Sequence, residues 1–259
     1  MGKKEIRAEH LMKLILANGT CSLKELAKIL GVTHATVRRD VQELLKQNKV
    51  RLFHGVVAAI DFSSSNKELK SYKINEAERQ NIEAKRKIAS KGVARIQTGD
   101  IIFLDAGTTT EFIARLADPS IDLTIVTCAL NIADYVADNT NWTLVLPGGS
   151  LHRGPLMFES DTTADFIKNI RTNRAFISAS GVTTDLGITC TNFFEIKVKQ
   201  AALQSTQESI LVSDTSKFGE VQVAYFADIE DFDLIITNSE LNKDIIAYCK
   251  ENSVQIDCI

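Results

Sequence analysis

The 259-residue sequence contains three prolines, one tryptophan and five cysteines with no C-x-x-C pair among them. Each scarcity excludes something. So little proline, beside 44% hydrophobic and 24% charged residues, excludes a collagen-like or disordered chain and leaves ample apolar surface for a core. Cys21, Cys128, Cys190, Cys249 and Cys258 are odd in number and dispersed, which excludes a disulfide scaffold and predicts reduced thiols. His10, His34, His54 and His152 are equally scattered, so no metal-ligand spacing exists and neither a metal nor a cofactor is expected. Apolar runs such as Ile101-Ile102-Phe103-Leu104 are far shorter than the ~18 residues of a membrane span. Met1-Gly2-Lys3-Lys4 leads into no apolar signal region, so a cytoplasmic chain with no membrane partner is expected.

What the chain does have is charge divided unevenly along its length. The net charge is −3, yet residues 1–95 carry 20 Lys+Arg against 10 Asp+Glu, and residues 96–259 carry 10 against 23. A net +10 front and a net −13 body predict a nucleic-acid-binding domain on an acidic partner domain; the bland alternative is solvated helix faces. The length fits one small and one large domain.

In the front, Ile6, Leu11, Leu14 and Ile15 recur at helical spacing, and Asn18-Gly19 tolerates the left-handed conformation that ends a helix. Ser22 can cap a second helix that buries Leu23, Leu26, Ala27 and Leu30, with Glu25 completing a capping-box pattern. After the turn Gly31-Val32-Thr33, Thr33 caps a third helix with Val37, Val41, Leu44 and Leu45 inward. Two helices joined by a short Gly-containing turn are the grammar of a helix-turn-helix, whose second helix enters the major groove. His34, Arg38, Arg39 and Gln42 fall on or near its outer face. Arg38 and Arg39 suit either guanine edges or phosphate oxygens, Thr33 and Thr36 suit phosphate, and Lys46, Lys49 and Arg51 add charge. Asp40, which phosphates would repel, is expected to interact within the helix. Two β-rich runs flanking His54-Gly55 read as a hairpin, which makes the domain a winged helix-turn-helix.

Arg7, Leu11 and Ile15, followed by Thr33-His34-Ala35-Thr36-Val37-Arg38-Arg39-Asp40-Val41 and a His-Gly wing, resemble the N-terminal signature of DeoR-family transcriptional regulators. Family wings commonly carry His-Gly-Gly where this chain has His54-Gly55-Val56. The resemblance implies operator DNA as a partner, with Thr33, His34, Thr36, Arg38, Arg39, Gln42 and His54 as DNA-binding residues. At least a dimer is expected, since two-fold proteins match palindromic half-sites.

The polar joint Ser63-Ser64-Ser65-Asn66 precedes a charged helical stretch over about 74–96. From Gly99 onward, buried-type strand runs alternate with helical segments: 101–104, 123–126, 143–146, 175–178, 210–212 and 234–237. Such continuous apolar runs predict a parallel sheet covered on both faces, an α/β body whose ligands sit beyond the carboxyl ends of the strands. The expected domains are 1–60, a linker and connecting helix over 61–95, and an effector domain over 96–259.

Asp105-Ala106-Gly107-Thr108-Thr109-Thr110 follows the first of these strands and leads into a helical segment over 111–117. Glycine lets the backbone approach an anion, and helix-start N–H groups with three hydroxyls supply donors. The stretch is neither a Walker A sequence nor a G-x-G-x-x-G fingerprint. Pro147-Gly148-Gly149, Ser180-Gly181-Val182-Thr183 and Ser213-Asp214-Thr215-Ser216-Lys217-Phe218 close other strands. Lys217 suits a phosphate or sugar-oxygen contact, or else a salt bridge to Asp214. Glu195 and Lys199, spaced i,i+4, taken alone form an ordinary helix pair worth ~0.3–0.5 kcal/mol.

Together these segments resemble the DeoR-family effector domain, which is related to ribose-5-phosphate isomerase. The resemblance implies that Asp105, Gly107, Thr108, Thr109 and Thr110 line a phosphate and sugar loop, with Gly149, Gly181, Glu195, Lys199, Asp214 and Lys217 as neighbouring ligand-binding candidates. The run 178–199 resembles a subfamily whose implied effector is deoxyribose 5-phosphate and whose implied targets are genes of deoxyribonucleoside breakdown. A repressor induced by another phosphorylated sugar is one alternative. An isomerase-like enzyme is the other, although Ser180-Gly181-Val182-Thr183 lacks both carboxylates of the isomerases' acidic turn. No catalytic residue is assigned.

Overall fold

Leu23, Leu26 and Ala27 recur at helical spacing and are all buried, so α1 (Leu23–Leu30) forms with one apolar stripe facing inward. The computed structural model describes residues 7, 10–12, 14–15, 20–46, 49–53, 56–59 and 81–259. It divides the chain into two units, Met1–Ser71 and Tyr72–Ile259.

In the first unit, Thr33 caps α2 (His34–Lys46): its hydroxyl accepts a hydrogen bond from the Thr36 amide at 3.2 Å. Val37 and Val41 are fully buried, each contributing about 1.5–3 kcal/mol of apolar burial. They meet Leu11, Ile15, Leu26, Leu44, Val50 and Val57 in one core. β2 (Val50–Phe53) and β3 (Val56–Ala59) pair antiparallel as the expected hairpin. A third strand, β1 (Thr20–Ser22), adds to β3, so the segment read only as a helix start also closes the sheet. The expected helix stop at Asn18-Gly19, the His54-Gly55 turn and the Ser63–Asn66 joint lie outside the described residues.

Asp40 corrects its expectation. Its carboxylate is buried and engages not its own helix but Arg7, whose Nε and second guanidinium nitrogen donate at 2.5 and 3.1 Å. Asp40→Ala is therefore expected to lower the melting temperature of this unit, measured by circular dichroism, because it unfastens Arg7 from α2.

The second unit is built on a seven-stranded, all-parallel sheet. In chain order, α3 (Ile82–Val93) leads to β4 (Asp100–Leu104), α4 (Thr108–Leu116), β5 (Leu123–Thr127), α5 (Leu130–Asn139) and β6 (Thr143–Val145). A hairpin follows, β7 (Ser150–His152) and β8 (Met157–Glu159), then α6 (Thr163–Lys168) and β9 (Thr172–Ile177). A small antiparallel sheet takes β10 (Gly181–Thr183), β11 (Gly187–Cys190) and β13 (Ala224–Ala227). Between them come α7 (Phe193–Ser205) and β12 (Thr206–Val212); β14 (Leu234–Thr237), α8 (Lys243–Glu251) and β15 (Gln255–Cys258) complete the unit.

The main sheet runs in the order β15-β14-β12-β9-β4-β5-β6. The chain therefore winds outward from β4 through β5 to β6, then returns beside β4 as β9 and winds outward the other way. The order reverses between β4 and β9, and that is where an open parallel sheet leaves a crevice beyond its carboxyl ends. Of the helix expected over 74–96, the described residues show α3 over Ile82–Val93, starting after Asn81, whose backbone is left-handed (φ 55°), and 74–80 lie outside the described residues. All five cysteines are free thiols. Among the described residues no helix is long and apolar enough to cross a membrane, and no group of three His, Cys, Asp or Glu side chains is placed to hold a metal.

Candidate functional site

In the first unit, the face of α2 opposite Val37, Val41 and Leu44 presents His34, Ala35, Arg38, Arg39 and Gln42 to solvent. Neither arginine makes an ion pair among the described residues, so both guanidinium forks stay available for a polyanion. Thr36 is half-buried and its hydroxyl lies 2.9 Å from that of Thr33, so this pair belongs to the helix cap as well as to the exposed end. Lys46 and Lys49 are exposed on the same segment. His54 lies outside the described residues.

In the second unit, the reversal point between β4 and β9 brings together Asp105, which follows β4, and Ser178, which follows β9. Ser178 donates to Asp105 Oδ2 twice, from its amide at 2.9 Å and its hydroxyl at 2.6 Å. The Lys199 ammonium, reaching in from α7, forms an ion pair with the same oxygen. All three donors converge on Oδ2, and Oδ1 takes no hydrogen bond among the described residues. α4 starts at Thr108, earlier than the sequence pattern places it, so Thr108, Thr109 and Thr110 form its first turn and are all buried. Thr110 Oγ1 donates to the Asp105 and Gly107 carbonyls at 2.7 and 2.8 Å, tying the loop to the helix. Gly107 permits this closeness: a Cβ there would lie 2.8 Å from Ser178 Oγ.

Lys199 corrects the reading of an ordinary helix pair. Its ammonium is 1% exposed, lies 3.5 Å from Glu195, donates to the Ser178 carbonyl at 3.0 Å and sits 5.2 Å above the Phe226 ring. The figure for a solvated i,i+4 pair does not apply to charges removed from water. Burial opposes the Lys199 cation, but Asp105 and Glu195 more than offset it and hold its pKa above the ordinary lysine value. Burial pushes the Glu195 carboxyl up; Lys199 opposes that and the Asp105 charge adds to it, while Asn192 Nδ2 donates to Glu195 at 2.7 Å. The Cys128 thiol, beyond β5, is pushed up to about 12 by burial and then by the Asp105 charge.

The raised Glu195 pKa has a pH signature. Between its unfolded value near 4.5 and its higher folded value, the folded protein binds more protons, so stability declines as pH rises through that window. Glu195→Gln removes this titration. Urea melts from about pH 4 to 7 are expected to show the variant gaining stability relative to the parent as pH rises.

Asp214 caps a short 3-10 turn over Thr215–Lys217: its Oδ1 accepts from the Ser216 amide at 3.0 Å and hydroxyl at 2.5 Å, and from Asn81 at 3.2 Å. The alternative salt bridge to Lys217 is therefore not formed, and Lys217 makes no ion pair among the described residues. Gly149 (φ 120°) sits where a Cβ would lie 2.4 Å from the Glu159 carbonyl, and at Gly181 it would lie 2.4 Å from that of Glu220. Both glycines thus serve close backbone packing. The structure joins Asp105, Gly107, Thr110, Glu195 and Lys199 in one network, sets Thr108 and Thr109 beside Thr110 in the first turn of α4, and places Asp214 and Lys217 on the loop after β12, one strand beyond β9. Sequence reasoning missed Ser178 as a site residue; the signal available was its position as the last, polar residue of the strand run 175–178.

A model of the DeoR-like helix-turn-helix domain matches residues 7–62, and one of the DeoR C terminal sensor domain matches residues 80–239. An uncharacterized HTH-type transcriptional regulator of Haemophilus influenzae is 33% identical over 259 residues, 99% of each chain. The HTH-type transcriptional regulator IolR of Bacillus subtilis is 29% identical over 253 residues, 98% of each chain. The deoxyribose operon repressor of Escherichia coli is 28% identical over 254 residues, again 98% of each. Among solved structures, ribose 5-phosphate isomerase A of Methanocaldococcus jannaschii covers 54% of this chain and 55% of that chain at 14% identity, with a TM-score of 0.40. With a reader domain matched at one end, a sensor domain at the other, and relatives aligned along their full length, the chain belongs to the DeoR family of transcriptional regulators.

Proposed function

We propose that the chain is a repressor whose domain over 1–60 binds an operator through α2, and whose domain over 96–259, joined by 61–95, senses a phosphorylated sugar, with deoxyribose 5-phosphate as inducer. The observation that carries this reading is the cluster of polar groups at the sheet's reversal point. There a buried carboxylate with one unengaged oxygen stands beside the first turn of α4, a phosphate-favouring element, two strands away from the loop that bears Lys217, which makes no ion pair among the described residues. Asp105 Oδ1 suits a sugar hydroxyl, and Lys217 suits the phosphate. Genes of deoxyribonucleoside breakdown are the proposed targets, and the active species is a homo-oligomer of at least two chains. Inducer works by binding the operator-free arrangement more tightly than the operator-bound one.

An isomerase reading has less support, because Glu195, the carboxylate left to act as base, is buried and engaged by Asn192 and Lys199. Arg38→Ala tests the reader half. A bidentate arginine contact is worth about 1–3 kcal/mol, so operator affinity in a gel shift is expected to fall roughly 5- to 150-fold while effector binding persists. Retention at the parent's affinity would remove α2 as the reading element.

A further inference from the structure

The β7–β8 hairpin takes no part in the Asp105–Lys199 network, yet it is fastened on both sides of it. On one side it is bonded to the end of β5 and the start of α5: the Phe158 amide donates to the Cys128 carbonyl at 2.8 Å, and the Leu130 amide donates to the Leu156 carbonyl at 2.7 Å. An isolated bridge between Ala129 and Met157 completes this seam. Leu156 holds a left-handed backbone (φ 51°) there, which a leucine adopts only where its surroundings impose it. On the other side, the His152 ring lies flat on Phe194, with centroids 3.7 Å apart and planes 9° from parallel.

Phe194 belongs to the first turn of α7, directly before Glu195, and α7 delivers Lys199 to Asp105. β4 lies between β5 and β9 in the sheet. The hairpin is thus anchored at the end of β5, the strand beside β4, and at the start of α7, the helix that delivers Lys199 to Asp105. The Cys128 thiol, at the hairpin's anchor, feels the Asp105 charge, which agrees with that placement.

Within the hairpin, His152 is half-buried, and its chemistry is set by two neighbours. Phe194 covers one ring face, and Nε2 stands 3.4 Å from the Glu159 carboxylate. A carboxylate facing Nε2 favours the proton on that nitrogen and leaves Nδ1 as an acceptor. Among the described residues Nδ1 has no hydrogen-bond partner.

We propose that the β7–β8 hairpin forms a wall of the effector crevice and that His152 is a specificity-determining residue, its Nδ1 accepting a hydrogen bond from a hydroxyl of a bound sugar phosphate. This rests on the sugar-phosphate reading above and adds the element that distinguishes one sugar from another. Lys217 contributes charge, which every phosphate ester satisfies equally. A directional acceptor on a fixed ring responds instead to where the sugar carries its hydroxyls.

The test is calorimetric titration of the full chain with deoxyribose 5-phosphate, ribose 5-phosphate and inorganic phosphate. It compares the parent, His152→Phe, which keeps an aromatic ring on Phe194 but has no nitrogen, and His152→Gln, which returns a polar acceptor. His152→Phe is expected to lose at least tenfold in affinity for the preferred sugar phosphate and to narrow its preference over inorganic phosphate; His152→Gln recovers part of both. Parent-like affinities and ratios in His152→Phe would overturn the proposal while leaving the effector reading intact. Should His152→Phe not fold, proton NMR of the parent decides: the His152 imidazole resonance, assigned with His152→Gln, moves on saturation with the sugar phosphate, and a stationary resonance overturns the proposal. A parent that binds neither sugar phosphate more tightly than inorganic phosphate removes the deoxyribose 5-phosphate reading and this proposal with it.

Discussion

Lys199→Met is expected to destabilise the second unit by about 3–5 kcal/mol, the cost of stranding a buried charge whose partner has been deleted. Lys199 is 1% exposed and is the cation that neutralises Asp105, itself 1% exposed. Without it, Asp105 keeps two hydrogen bonds from Ser178 but loses its counter-charge, and the Glu195 carboxyl, already raised by burial, is pushed further toward its protonated form. For a unit of this size the fall in melting temperature is on the order of 10 °C, read by differential scanning calorimetry. Adding Asp105→Asn to Lys199→Met removes the stranded charge, so the double variant is expected to recover a substantial part of the loss. Strict additivity of the two single effects would show that the pair is not coupled. The methionine keeps the long unbranched shape of the lysine stem, so the change isolates charge from packing.

Lys217→Ala is expected to behave in the opposite way. Its ammonium makes no ion pair among the described residues and the side chain is only half-buried, so the unliganded protein should melt within a degree or two of the parent. Effector affinity is expected to fall roughly 10- to 150-fold, the span of a lost charge-assisted hydrogen bond of about 1.5–3 kcal/mol. In a gel shift with inducer titrated in, operator binding should persist while the concentration needed for release rises by the same factor. An unchanged inducer dose curve would remove Lys217 from the site. Lys199 and Lys217 are thus expected to separate two jobs that a residue inventory would merge: one neutralises the buried Asp105, and the other is the cation proposed for the ligand.

That distinction explains what was legible in the sequence. The reader domain was readable because its signals are local: Thr33 three residues before Thr36, an apolar stripe of Val37, Val41 and Leu44, and arginines on the remaining face all act within a few turns. The strand runs from Ile101 to Thr237 were equally readable, since strands buried on both faces need continuous apolar residues. The partners were not. Arg7 and Asp40 stand 33 residues apart, Lys199 and Asp105 stand 94 apart, and chain pattern holds no record of such pairings. So Lys199 read as an i,i+4 surface neighbour of Glu195, when sheet order brings it to the end of β4 instead. β1 and β15 were missed because short strands at a sheet edge carry little of the apolar run that marks a central strand. Gly149 and Gly181 illustrate the converse: a glycine at a strand end suggests a ligand, yet each here sits against backbone of its own unit.

The opposed charges of the two halves sharpen what the effector site has to do. A body carrying 23 acidic against 10 basic residues repels a phosphate dianion at long range, so the recognition proposed above requires a few local donors, for which the proposal names the first turn of α4 and Lys217. The same acidity disfavours contact of the body with DNA, which agrees with the proposal that the basic segment contacts the operator.

The most direct test is a thermal-shift panel of phosphorylated sugars on the full chain, with inorganic phosphate as the reference. A ligand at 100 times its dissociation constant adds about 2.7 kcal/mol of stability by mass action. Deoxyribose 5-phosphate is therefore expected to raise the melting temperature by about 5–10 °C, and by more than other sugar phosphates. A larger rise with another phosphorylated sugar would reassign the inducer and keep the architecture. A panel in which no phosphorylated sugar raises the melting temperature above inorganic phosphate would contradict the account at its centre.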